Sequence, residues 1–93
     1  MESIISTEKR CYLCGSRNWI EVHHVYPGVN RGASDDYGLT VPLCHYCHNE
    51  PPNGVHYNKE RRQALQASVQ VKAMEHYGWT EEDFRTIFHK SYI

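Results

Sequence analysis

Cysteine and histidine fall here in a pattern that can do metal chemistry twice. Cys11 and Cys14 form one CxxC step, Cys44 and Cys47 form another, His23 and His24 lie between them, and His48 follows the last cysteine. A CxxC turn presents two sulfurs from one chain reversal, so two such turns can surround a zinc ion with four thiolates at about 2.3 Å each. A closed shell of four sulfurs leaves no open position, which makes the ion structural and its removal unfolding. Two disulfides are the alternative use of the same cysteines, and they belong to a secreted chain. The histidines suit a different task. Neutral imidazole binds divalent metals and is a base near pH 7, and seven histidines in 93 residues are more than a packed core asks for. Adjacent residues on a strand point to opposite faces, so one member of the pair can ligate a metal while its neighbour meets another partner. His23, His24, His48 and His56 are the candidate set for a second metal and a general base. His45, His76 and His89 carry no pattern beyond their position, and His45, inside the second CxxC step, is expected to face solvent.

The elements that must position these groups follow from local signals. Residues 1–10 are polar and read as an ordered edge or a loose arm. Residues 18–25 carry Trp19, Ile20, Val22 and Val25 among polar neighbours, which predicts a short strand with the double histidine at its end. Pro27-Gly28 marks a turn, and residues 29–37 read as a polar loop. Residues 39–43 are a second apolar run, which Pro42 confines to a sheet edge, leading into the second cysteine pair. Pro51, Pro52 and Gly54 break any helix that starts near His48. Asn58 is placed to cap a helix over 59–77 with a stripe of Leu65, Val69, Ala73 and Tyr77, Met74 alongside, and Gly78 just past its end. Thr80 and Asp83 resemble a capping box for a last helix over 81–90, with Phe84, Ile87 and Phe88 on one side. The fold class expected is small α+β.

Composition bounds the rest. At 93 residues the chain is one domain, short enough to need a staple such as a metal. The formal net charge of −1 is not that of a basic nucleic-acid binder, so such binding would rest on a local patch or a metal. Arg31, Arg61 and Arg62 are the candidate phosphate contacts. No apolar run is long enough to span a membrane, and the first ten residues lack the basic end and apolar stretch of a secretory signal. The expectation is a cytoplasmic chain in a reducing compartment, where thiols favour metal.

The order CxxC, strand, His-His, loop, Leu-Cys-x-x-Cys-His resembles the HNH endonucleases of the ββα-metal fold. The stretches 23–27 and 41–48 carry the resemblance, which covers residues 11–60 most closely. The stretch 54–56, the long helix after it and the ending at 88–93 resemble small HNH proteins of bacteriophages and prophages. The resemblance implies a single domain over 1–93: a zinc-stapled ββα-metal core at 11–60, then a long and a short helix over 59–93. It implies a metal-dependent enzyme that hydrolyses DNA phosphodiester bonds in a bacterial host cell. His24 would be the general base, His23 and His48 would ligate a divalent ion (Mg2+, Mn2+, Ni2+ or Zn2+), and His56 would be a third ligand or a phosphate contact. The family's asparagine ahead of the second apolar run has no counterpart in Asp36-Tyr37-Gly38-Leu39, and Asp36 or a backbone carbonyl is the expected substitute. Two other classes stand beside the enzyme. One is a zinc-binding module that docks on nucleic acid or inhibits a host or defence protein. The other is a subunit that works within a phage packaging or restriction complex.

Overall fold

The chain between the two cysteine pairs folds back on itself as a hairpin, in a computed structural model that describes residues 1–93. Strand β1 (Ile20–His24) pairs antiparallel with β2 (Thr40–Cys44), with His23 opposite Val41 and His24 opposite Thr40. These two strands are the whole sheet. Helix α1 (Arg31–Asp36) lies in the connection, α2 (His45–Asn49) continues directly from β2, and α3 (Lys59–Tyr77) and α4 (Glu81–Phe88) complete a small α+β fold. No helix is long and apolar enough to cross a membrane.

Val22 of β1 marks the outer face of the hairpin rather than the inner one. Val22 is 66% exposed, and Trp19 ahead of the strand is 71% exposed. Glu21 and His23 hold the inward positions, and Glu21 bonds side chains of α2. Polar residues take this face because α2 and the strand recognise each other through hydrogen bonds. The edge position of Pro42 has a clear reason. Its carbonyl accepts from the Tyr12 N–H at 2.7 Å, so its backbone faces away from β1 and the missing N–H costs no ladder bond. Residues 1–10 are the ordered edge: Ser3 Oγ donates to the Thr40 carbonyl, and the Ile4 N–H donates to the Gly38 carbonyl at 2.9 Å.

The polar stretch 29–37 is not a loop. A 3-10 turn (Gly28–Asn30) runs into α1, and buried Ser34 pins the helix by accepting from the Tyr26 N–H at 3.2 Å and donating to the Tyr26 carbonyl at 2.8 Å. A helix held this way needs no apolar stripe, so periodicity does not reveal it.

The C-terminal helices follow their local signals. Asn58 Oδ1 accepts from the Arg61 N–H at 3.0 Å and caps α3. Gly78 takes a left-handed φ of 70° and ends it. The Thr80–Asp83 capping box is complete in both directions. Helix α4 stops at Phe88, short of residue 90, because His89 turns left-handed at φ 73°. Leu65, Val69 and Ala73 enter the core with Phe84 and Phe88, as the periodicity predicts. Gln66 and Gln70 are buried beside them and tie α3 to other segments. Gln66 Nε2 donates to the Val25 carbonyl at 3.2 Å, and Gln70 Nε2 donates to Ser91 Oγ at 2.9 Å while its Oε1 accepts from the Tyr92 N–H. The Tyr26 ring packs on Phe88 and Tyr92, each 4.9 Å away between centroids.

Candidate functional site

The two cysteine pairs meet. Cys11, Cys14, Cys44 and Cys47 place their sulfurs within 4.8 Å of one another, with Cys14 exposed and the other three buried. The Cys44–Cys47 step is the first turn of α2, where Cys44 Sγ accepts from the Cys47 N–H at 3.4 Å, and the Cys11–Cys14 step repeats that contact. Burial drives the Cys47 thiol up to about 12, while at Cys11 backbone amides of Cys44, Cys14 and Leu13 outweigh burial and bring it down to about 6. Sulfurs this close cannot all ionise by themselves; a divalent cation is what allows four thiolates to coexist. The cluster can hold a metal such as zinc, and the spacing fits a tetrahedral sulfur site.

A second group forms on the inner face of the hairpin. Each of His23, His48 and His56 offers a ring nitrogen, and the three lie within 4.8 Å of one another. They reach this point from different elements: His23 from β1, His48 from α2, and His56 from the loop 50–58. That loop is closed on itself through Gly54 N–H to Glu50 O at 2.6 Å and stitched back onto α2 through Val55 N–H to Cys47 O at 2.8 Å and His56 N–H to His48 O at 3.3 Å. Gly54 is needed there, since a Cβ would lie 2.7 Å from the Glu50 backbone nitrogen.

The histidine group has the character of a cation site. His23 is 2% exposed, and its Nε2 has no hydrogen-bond partner. Burial first, then the neighbouring His48, His56 and His24, hold its pKa down at about 3, so the ring is neutral and carries a free lone pair. Burial also lowers His56, with His48 and Arg62 adding to it. His48 Nδ1 donates to Glu21 Oε1 at 2.8 Å, which leaves its Nε2 as an acceptor, 2.9 Å from His56 Nε2. A carboxylate behind one ring nitrogen with the other turned inward is how proteins orient imidazole toward a metal.

Behind these histidines stands a charged layer. Glu21 accepts from His48 Nδ1, from Asn49 Nδ2 at 3.0 Å and from His45 Nδ1 at 2.9 Å, and His45 Nε2 meets Glu50 Oε1 at 3.0 Å. Hydrogen bonds from His45 and then His48 hold Glu21 below the usual carboxylate range, and the bond to Glu21 raises His45 above its ordinary value. His45 is therefore engaged on both ring nitrogens rather than turned to solvent. Only the fold brings Glu21, 24 residues away, to its side.

At the next position along β1, His24 Nε2 lies 3.1 Å from Asp35 Oδ1, and His24 is near enough to His23 to be among the neighbours that hold its pKa down. Asp35, from α1, is the group that meets His24, rather than Asp36 or a backbone carbonyl.

No family model matches the chain, and neither a curated protein nor a solved structure matches it.

The arginines divide. Arg61 donates to the Asn53 carbonyl at 2.7 Å and lies 3.9 Å from Cys47 Sγ, and Arg62 donates to the Val55 carbonyl at 3.2 Å. Both are tied to the loop that carries His56. Arg31 is exposed at the start of α1. Sequence reasoning missed Glu21, His45, Asp35 and the loop anchors. The one sequence signal for Glu21 was its place two residues before His23, which puts both side chains on the same strand face.

Proposed function

We propose that this chain is a metal-dependent DNA endonuclease of the HNH kind, with a structural zinc at Cys11, Cys14, Cys44 and Cys47 and a catalytic ion at His23, His48 and His56. The observation that carries the reading is the buried, neutral, unpartnered His23 facing His48 and His56, with the His24–Asp35 pair at the next position along the strand. Three imidazoles suit Zn2+ or Ni2+ better than Mg2+ or Mn2+, which prefer oxygen. The ion supplies charge stabilisation for the phosphodiester oxygens. The chain supplies the proton transfer. A carboxylate only accepts hydrogen bonds, so His24 donates its Nε2–H to Asp35 and keeps the Nδ1 lone pair. Nδ1 takes a proton from water as the water oxygen attacks phosphorus, and the bond from phosphorus to the leaving sugar oxygen breaks. A phage or prophage setting, with a packaging or defence complex positioning the DNA, accords with this reading and with the net charge of −1.

The test is nicking of supercoiled plasmid by zinc-loaded protein supplied with Mn2+ or Ni2+. Wild type nicks, and His24→Ala loses about 100-fold or more of the rate, the usual worth of a general base, while binding metal as before. Intact plasmid with wild type at full metal occupancy overturns the enzyme. The second reading is a module that binds nucleic acid or inhibits a host protein, and the engagement of Arg61 and Arg62 by carbonyls favours the inhibitor within it. Such a module keeps its binding in His24→Ala and shows no metal-dependent turnover.

A further inference from the structure

We infer that His45 is a positioning residue for the histidine metal site, acting through Glu21 on His48 and clamped in place by Glu50 and Trp19. The inference rests on the reading of His23, His48 and His56 as metal ligands, and it extends that site by a further layer.

The argument runs along one line of hydrogen bonds. His48 can present Nε2 to a cation only while its Nδ1–H is held, and Glu21 Oε1 holds it at 2.8 Å. Glu21 projects from a two-stranded sheet with its side chain 27% exposed, so it needs a restraint of its own. Asn49 bonds the same Oε1, and His45 Nδ1 takes the other oxygen at 2.9 Å. His45 is in turn fixed from its far side, since Nε2 meets Glu50 Oε1 at 3.0 Å. Both ring nitrogens lie against a carboxylate oxygen, so the ring cannot rotate without losing a hydrogen bond on each side. The result is a continuous chain, Glu50–His45–Glu21–His48, that ends at a ligand atom.

Trp19 is the independent observation. Its ring stacks on His45 with centroids 4.1 Å apart and planes 11° from parallel, although the residue is 71% exposed. Its backbone is left-handed at φ 51°, an unfavourable state for a bulky side chain. That conformation sets the Trp19 carbonyl to accept from the His45 N–H at 2.9 Å while the indole covers the imidazole. An exposed tryptophan in a strained backbone contributes little to the core; what it holds is His45.

The experiment is a Co2+ titration of the full chain with zinc kept at the cysteines, followed by the visible bands of nitrogen-ligated Co2+ and by zinc content. Wild type takes up one Co2+ at the histidines. His45→Phe preserves the stack on Trp19 but removes both ring nitrogens. It is expected to bind Co2+ about 10–100-fold more weakly, the usual cost of losing an outer partner of a metal ligand, while keeping its zinc and its melting temperature. Glu50→Gln, on the surface, is expected to weaken Co2+ several-fold with the fold intact. Wild-type uptake with unchanged affinity in His45→Phe overturns the role of His45 alone. If His45→Phe loses its zinc, Glu50→Gln decides, and unchanged affinity there overturns the inference. No Co2+ uptake by wild type overturns the metal-site reading itself, and the inference with it.

Discussion

Three donors, His45 Nδ1, His48 Nδ1 and Asn49 Nδ2, converge on the Glu21 carboxylate, and that convergence sets which ring nitrogens remain free. The same logic of one polar atom fixing another recurs at Tyr26, just beyond the histidine pair. Its O–H donates to the Gln66 carbonyl at 2.6 Å and fastens the end of β1 to α3. Burial, then the nearby Tyr92, pushes the phenol far above its ordinary value of 10. Above pH 10 the unfolded chain releases this proton while the folded chain keeps it. The folded state then binds more protons, and stability present below pH 10 is lost as pH rises beyond it. Urea melts against pH should show this alkaline loss in wild type. Tyr26→Phe should start about 1 kcal/mol lower at neutral pH, from the lost hydrogen bond, and should show a shallower alkaline decline. An equal decline in the two proteins contradicts the assignment.

At the scale of elements, the loop 50–58 carries the most consequence for its size. It bonds α2 at Cys47 and His48, and so couples one residue of each candidate metal group to the backbone that presents His56. Arg61, at the start of α3, adds a bond to the Asn53 carbonyl and a charge near Cys47 Sγ. Gly54→Ala puts a methyl against Glu50 N at 2.7 Å and Glu50 O at 2.9 Å, all rigid backbone, so the loop must shift. The expected outcome is loss of Co2+ or Ni2+ binding at the histidines with zinc retained at the cysteines, read by metal analysis after gel filtration. Retention of both metals shows that the loop tolerates the shift and that His56 is not needed as a ligand. The caps are the plain part of this level. Asn58, Gly78 and the Thr80–Asp83 box act within one helical turn, so their residue types alone announce them.

At the scale of the molecule, the cysteine cluster joins the first knuckle to the start of α2, while a core of 14 buried residues joins the hairpin to α3 and α4. In a chain of 93 residues with a two-stranded sheet, a metal at the cysteines adds a staple to the hydrogen bonds from Glu21, Trp19 and the 50–58 loop that hold α2. Stripping zinc with a strong chelator should release α2 and with it His48 and the loop to His56. Far-UV circular dichroism should fall, and the histidine site should lose its affinity in the same step. A chelated protein that keeps its circular dichroism and still binds Co2+ at the histidines shows that the cysteines are not the staple.

What the sequence by itself determined was the chemistry carried by short spacings. The paired CxxC steps, the adjacent histidines and the helix caps each depend on a few consecutive residues, so residue type and spacing are enough to read them. The structure brings the four sulfurs together and groups His23 with His48 and His56. The tertiary structure decided everything that depends on partners far apart in the chain. Glu21 reaches His45 and His48, Asp35 rather than Asp36 reaches His24, and Ser34 makes a helix of a stretch that reads as loop. Gln66 and Gln70 are buried because Val25, Ser91 and Tyr92 satisfy them. Arg61 and Arg62 turn inward because carbonyls of the 50–58 loop accept from them. The physical reason is the same in each case. A polar side chain takes its role from the partner it meets, and a single hydrogen bond across tens of residues leaves no periodicity to read.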